Sequence, residues 1–386
     1  MRRVLGLLLT VALILAGCSD MPSLNPFSWF SGGSTGPKPA ELPPLSNPLP
    51  VKVLWSSRIG NAGAFIFSPA VAQDSVYVAS RDGSVARLDA ATGEPRWRVT
   101  LDAHLSGGVG SDGTLAVVAT DEGVVFALNA ADGKVRWRAR VSSEVLAAPQ
   151  VSGGLVLVRS DDSRIFAFGE QDGKRRWYYQ RTAPSLLVRS PAGMAIGDGT
   201  VYAGFGGKLV ALELASGTVR WEATVALPKG TTELERVTDI VGNPALGGGQ
   251  VCAAAYQGRV ACFDAANGNQ LWSRQMSTVT GASVDSRDIY VSDDKGAVYA
   301  FDRTDGRSMW KQDKLAYRQL SLPLSLGAEI ALGDLQGYVH FLARESGAFV
   351  ARIATDGSAI RAAPVRLPGR GFLVQTQDGG LYALSP

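Results

Sequence analysis

Seven tryptophans, Trp55, Trp97, Trp137, Trp177, Trp221, Trp272 and Trp310, recur at intervals of 42, 40, 40, 44, 51 and 38 residues. A period of that length marks an array of supersecondary units, each burying its apolar face against the next. The phrase ahead of each tryptophan repeats with it. Before Trp97 the chain reads Asp82-Gly83-Ser84-Val85-Ala86-Arg87-Leu88-Asp89-Ala90-Ala91-Thr92-Gly93, and before Trp137 it reads Glu122-Gly123-Val124-Val125-Phe126-Ala127-Leu128-Asn129-Ala130-Ala131-Asp132-Gly133. Later copies run from Gln257-Gly258 to Trp272 and from Lys295-Gly296 to Trp310. A seventh, from Gln336-Gly337, arrives at Ala351 where tryptophan belongs, and an eighth, from Asp378-Gly379, meets the C-terminus first.

Each phrase reads as two strands with glycine-bearing turns, preceded by an apolar run such as Ser75-Val76-Tyr77-Val78-Ala79 and, before that, a short segment such as Ser68-Pro69-Ala70-Val71. Four strands per repeat is the spacing of a propeller blade. Residues 51–386 hold eight such units, so the expected fold is all-β, an eight-bladed β-propeller. The eighth copy lacks its last strand, and Val51-Lys52-Val53-Leu54-Trp55-Ser56 supplies one from the other end of the chain. Pairing residues 51–58 with 370–384 would close the ring and leave no open edge. The 45 glycines fit this turn-rich reading, and 38 basic against 35 acidic residues leave no nucleic-acid footprint. One tryptophan per repeat at constant phase reads as core packing between blades.

Arg2 and Arg3 precede an apolar run from Val4 to Ala16. That run is too short to span a membrane and has the pattern of a signal peptide, residues 1–17. It ends in Leu15-Ala16-Gly17-Cys18, which resembles a bacterial lipobox and implies acylation of Cys18. Several acyl chains anchor stably where one does not. By resemblance to the sorting rule of enteric lipoproteins, Ser19 after the cysteine implies the outer membrane. Residues 18–50 are rich in proline and read as a tether.

Little in the sequence suits catalysis. His104 and His340 are the only histidines and belong to different repeats, which argues against a histidine metal site or triad and for structural roles. Gly204-Phe205-Gly206-Gly207 reads as a hairpin turn rather than a phosphate loop. If Gln257-Gly258 is a two-residue turn, Ala253 rather than Cys252 stands opposite Cys262. A disulfide then needs a bulge to shift the register.

Two connectors between blades depart from the pattern. From Trp221 to Pro244 the chain takes 23 residues where most connectors take 10 to 14, and the insertion Lys229–Asp239 is polar and acidic. The preceding connector carries Leu186-Leu187-Val188-Arg189, an apolar run where a loop should be polar. Both join blades at one rim, in succession. Apolar side chains beside an arginine and an acidic projection have the composition of a protein-binding hot spot; the alternative is that Leu186–Val188 folds inward and plugs the channel.

The repeat resembles the tryptophan-docking motif of the pyrroloquinoline-quinone propellers. That group includes non-enzymatic scaffolds and dehydrogenases, which carry adjacent cysteines, a calcium site and a catalytic Asp in long insertions over the ring; this sequence has no adjacent cysteines, and its eight units leave little room for such insertions. Lipobox, proline-rich tether and compact ring together resemble the BamB family, lipoprotein subunits of the outer-membrane β-barrel assembly machinery. The resemblance implies a non-catalytic scaffold without a cofactor, lipid-anchored at the periplasmic face of the outer membrane, that aids insertion of β-barrel proteins. It implies that Leu186, Val188 and Arg189 contact the POTRA domains of the barrel subunit, BamA, and that Asp239 adds an acidic contact. Val241 stands where the family carries a second acid. Unfolded outer-membrane proteins are further expected partners. The competing functions are a quinone-dependent dehydrogenase and a saccharide-binding propeller.

Overall fold

The computed structural model describes residues 37–182, 186, 188–369 and 371–386. The signal peptide, Cys18 and the tether through residue 36 lie outside the described residues. Eight four-stranded antiparallel sheets follow one another along the chain: blade 1 (70–100), blade 2 (110–140), blade 3 (150–180), blade 4 (194–224), blade 5 (239–276), blade 6 (282–312), blade 7 (324–354) and blade 8 (365–385 with 52–58). We label the strands of each blade a to d in order. The short a strands of neighbouring blades touch one another around the axis. The expected terminal seal is present: Lys52–Arg58 is strand d of blade 8 and pairs antiparallel with Gly380–Ser385, so that Trp55 faces Ala383. In every blade the a–b turn, and in blades 1 to 7 the c–d turn, lie at one rim. The b–c turns and the connectors to the next blade lie at the other, here called the connector rim.

Strands b and c are buried on both faces because each sheet is packed on both sides. Eight apolar clusters fill the eight gaps between blades; one joins Tyr77, Ala79 and Val85 of blade 1 to Ala116, Val118, Phe126 and Leu128 of blade 2, and another joins Trp55 and Leu381 of blade 8 to Val76 and Leu88 of blade 1. Sequential cores of this kind explain why the repeat needs no common centre.

The tryptophans set the spacing. In each d strand a bulge falls just before the tryptophan position, for example between the pairs Leu128–Val135 and Ala127–Trp137. It aims the ring at the next blade. There the indole Nε1–H donates to the carbonyl just before the c–d turn: Trp55 to Ala90 at 3.0 Å, Trp97 to Ala130 at 2.8 Å, Trp137 to Glu170 at 2.8 Å, and likewise for Trp177, Trp221, Trp272 and Trp310. The ring lies on the glycine of that turn. A Cβ at Gly93, Gly133, Gly173, Gly217, Gly268, Gly306 or Gly347 would sit under 3.0 Å from the ring, and each glycine has positive φ. Both facts demand glycine.

Ala351 now has a physical account. A tryptophan there would need a c–d turn in blade 8, but strands c and d of that blade come from opposite ends of the chain and no such turn exists. The volume is supplied from the facing strand: Phe341 stands opposite Ala351 where five other blades carry alanine opposite tryptophan, and its ring packs edge-on against Phe372 of blade 8 at 5.7 Å. Val51 packs into the same cluster.

Two expectations are corrected. Cys252 and Cys262 are disulfide-bonded. Their hairpin turns at Gln257, which has a left-handed φ of 46° and donates its N–H to Ser277 Oγ at 3.0 Å. Ala254 therefore pairs with Val260, and Cys252 falls opposite Cys262. The tether also ends earlier than residue 50. Residues 39–50 lie along blade 7: Ala40 N–H donates to Ala316 O and Leu49 N–H to Val350 O, both at 2.8 Å, and Leu42 packs on the cluster between blades 6 and 7. His340 is structural as expected. It is fully buried, 2.9 Å from Asp334, whose carboxylate also accepts from Arg318 Nε at 2.7 Å; burial pushes the imidazole pKa below its ordinary value.

Trp137→Ala should lower unfolding free energy by roughly 3–5 kcal/mol, as for other buried aromatic truncations. Ala351→Trp should also destabilise, by about 1–3 kcal/mol through overpacking, although it restores the consensus residue. Denaturant titration measures both. A gain of stability in Ala351→Trp would mean that a receiving turn exists after all.

Candidate functional site: the connector rim

The two unusual connectors meet on the connector rim beside blades 3 to 5. Leu186 is 45% exposed. Val188 is half-buried. Arg189 is exposed but already paired: Nη2 donates to Glu144 Oε2 at 2.8 Å and Nε to Oε1 at 3.3 Å. Its guanidinium also stands 5.3 Å from the ring centroid of Phe65, and Arg81 stands 4.5 Å from the same ring. Arg81 in turn donates to Asp121 at 2.6 Å. Five side chains from five connectors or turns thus form one continuous strip, with two cations on one ring and a carboxylate for each cation.

Phe65, Arg81, Asp121 and Glu144 were not singled out by sequence reasoning. Only Phe65 left a trace, as part of the apolar run Phe65-Ile66-Phe67 in a connector. The others occupy ordinary turn positions, and only the ring geometry brings them together.

The acidic insertion is ordered by its own side chains. Glu235 accepts from the N–H groups of Thr231 and Thr232 at 2.9 and 3.1 Å, and Thr232 Oγ1 accepts from Glu235 N–H at 3.2 Å. This reciprocal capping holds a single turn and presents Leu234, 74% exposed, at its tip. The loop therefore offers an apolar tip, and Glu235 is spent on its shape.

Asp239 is placed differently from the expectation that it adds a surface acid. It begins strand a of blade 5, is only 4% exposed, and lies behind the Leu186 connector. With Val188, Ser190, Arg159 and Ser160 it lines a cavity of about 20 Å³, room for one water. Asp239 Oδ1 and Ser190 Oγ are buried without a partner. Burial pushes the Asp239 pKa up to about 6, against the opposing pull of Arg159 and of backbone N–H groups including that of Val188. Val241 is buried in the same strand and brings no charge to the surface.

The fold is an eight-bladed propeller of tryptophan-docked repeats with exposed Leu186 and Arg189 on its connector rim, an architecture that hosts enzymes as well as scaffolds. A family model described as outer membrane protein assembly factor BamB matches residues 51–103 and 81–312. Outer membrane protein assembly factor BamB of Burkholderia pseudomallei is 44% identical over 350 residues, 90% of this chain and 91% of the relative. The Pseudomonas aeruginosa protein of the same name is 44% identical over 362 residues, 93% and 92% of the two chains. The crystal structure of BamB from Moraxella catarrhalis superposes with a TM-score of 0.80 at 29% identity, over 87% of this chain and all of that one. Quinohemoprotein alcohol dehydrogenase from Comamonas testosteroni, at 14% identity and a TM-score of 0.67 over 86% of this chain and 76% of its own, shares the fold. The chain belongs to the BamB family of outer membrane protein assembly factors.

The folded-state pKa of Asp239 lies above its ordinary value of 3.8, so the folded protein holds a proton that the unfolded chain has released between about pH 4 and 6. Stability from this group is present below that window and lost as pH rises through it. Asp239→Asn should therefore be more stable than wild type above about pH 6, on the order of 2 kcal/mol, with the difference gone near pH 4. Equal stabilities at pH 8 would show that the buried carboxylate costs nothing.

Proposed function

We propose that this chain is a non-catalytic, lipid-anchored scaffold of the outer-membrane assembly machinery. It docks through its connector rim on the POTRA domains of the barrel subunit and helps deliver and insert β-barrel proteins. The observation that carries the reading is an exposed Leu186 in the same connector as Arg189, whose guanidinium is preorganised by Glu144 and Phe65, in a member of the BamB family. Leu186 supplies an apolar anchor. Arg189 presents a guanidinium already oriented by Glu144 and Phe65. Preorganisation of this kind lowers the ordering cost of association. Asp239 acts from beneath, through the backbone of the connector rather than by touching the partner. The name carried by the relatives supports the assembly role, and the lipobox at Cys18 supports attachment to the periplasmic face of the outer membrane.

Leu186, Val188 and Arg189 lie outside the repeat phrase, so changing all three to Ala should leave circular dichroism and melting near wild type. Truncated interface anchors can cost 2 kcal/mol or more each, and about 1.4 kcal/mol is tenfold in affinity. Association with the barrel subunit should therefore weaken at least about a hundredfold. Arg189→Glu should weaken it as well, because the new carboxylate faces Glu144 and removes the cation from Phe65. Full-yield co-purification of the triple variant with the barrel subunit would refute docking at this patch. Separately, Cys18→Ala should give a folded protein that fractionates with soluble periplasm; a variant still firmly membrane-bound would argue against lipid anchoring.

A further inference from the structure

At the connector rim a groove runs between neighbouring blades. Its walls are the connector leaving one blade and the b–c turn of the next, and its floor is a cross-strand pair from strands c and d. The pair occupies the same phase in every blade, the d-strand member coming directly after the tryptophan position. It is Ala86–Arg98 in blade 1, Phe166–Tyr178 in blade 3, Val210–Glu222 in blade 4 and Ala261–Ser273 in blade 5. Only blades 2, 6 and 7 place an aromatic ring beside a cation there: Phe126–Arg138, Tyr299–Lys311 and His340–Arg352. Arg138 lies 5.0 Å from the Phe126 ring centroid and Lys311 5.5 Å from that of Tyr299.

The groove at blade 7 is filled by the chain itself. Residues 40–43, Ala-Glu-Leu-Pro, lie extended in it. Arg352 Nη2 donates to Pro43 O at 2.8 Å and Arg318 Nη1 to Ala40 O at 2.9 Å, while the Ala40 N–H bonds the connector and Leu42 enters the apolar cluster. The segment is held by main-chain carbonyls and one apolar side chain. The other two grooves are open. That between blades 1 and 2, floored by Val124, Phe126 and Arg138, has a volume of about 850 Å³, and that between blades 5 and 6 about 440 Å³.

We propose that these two grooves bind an extended, leucine- and proline-bearing segment of another polypeptide in the way blade 7 binds residues 40–43. Arg138 or Lys311 donates to a backbone carbonyl of the guest, and the neighbouring ring receives an apolar side chain. Recognition through carbonyls tolerates many sequences, which suits an unfolded chain rather than a folded domain. Asp102, Asp121 and Glu122 around the larger groove disfavour acidic guests. The site is independent of Leu186, Val188 and Arg189, so it stands or falls apart from the docking assignment.

The test uses the full lipidated protein in detergent and a fluorescent peptide with the sequence of residues 39–50, carrying photo-leucine at the position of Leu42. The peptide should bind saturably and crosslink to residues 100–138 and 274–311. Arg138→Glu, an exposed change that should leave melting unaltered, should remove the first crosslinks and, combined with Lys311→Glu, weaken binding at least tenfold. The triple alanine variant at Leu186, Val188 and Arg189 should bind the peptide as wild type does. The proposal is overturned if binding is absent at millimolar peptide, if the double reversal leaves affinity unchanged, or if crosslinks fall only at blade 7 by exchange with the chain's own segment.

Discussion

The contact on which the molecule depends is an indole laid on a glycine in the next blade, with its N–H bound to a carbonyl of the same turn. The contact reads in one direction around the ring. Every outer strand therefore depends on its neighbour's turn, and every turn on its neighbour's ring. A chain built this way has no internal end except where its own termini meet, and there the rule must break. It breaks at Ala351, because the blade that should receive a tryptophan is assembled from the two chain ends. The enlarged Phe341 on the facing strand makes up the volume. The absent tryptophan is thus a consequence of closure between termini, not a loss from one repeat.

Features that repeat were legible in the sequence and features that occur once were not. Eight blades, their phase and the terminal seal follow from the tryptophans and the Asp–Gly phrases, since each is fixed by the same indole–glycine contact. The disulfide was missed because a single residue, Gln257, takes a left-handed conformation and moves the register by one. Proline-rich composition made residues 39–50 look like free tether, and nothing local reveals that Arg318 and Arg352, nearly three hundred residues later, hold their carbonyls. At the site, the Leu186 run was visible because apolar residues are out of place in a connector. Glu144 and Phe65 were invisible, since their meaning lies in a cation that reaches them from another blade. Asp239 was visible as an acid, but its burial was not.

The division of labour between the two rims follows from the docking contact. At the rim of the c–d turns, each turn must present a glycine and a carbonyl at fixed positions to an indole, which leaves little freedom for insertion. The connector rim carries no such obligation. The long connector through Thr231–Glu235, the Leu186 connector and the Phe65 run all lie there. An interaction surface on this scaffold is driven to that rim by the packing rule, before any selection for a partner.

On that rim the charges are arranged to be shape rather than attraction. Arg81 and Arg189 each face a carboxylate across neighbouring blades, so the strip carries little net charge and the exposed pairs add little stability. What they do is fix two guanidiniums over one ring, one of them from the connector that also exposes Leu186. A partner meeting this strip gains from buried apolar area and from a guanidinium that need not be ordered on binding. Glu144 competes with whatever acid the partner brings, which makes the contact selective for a carboxylate able to share Arg189 from the open side. The same economy governs the grooves of blades 2, 6 and 7: the cation after the tryptophan position lies where a backbone carbonyl can meet it, and in blade 7 the chain's own residues already do.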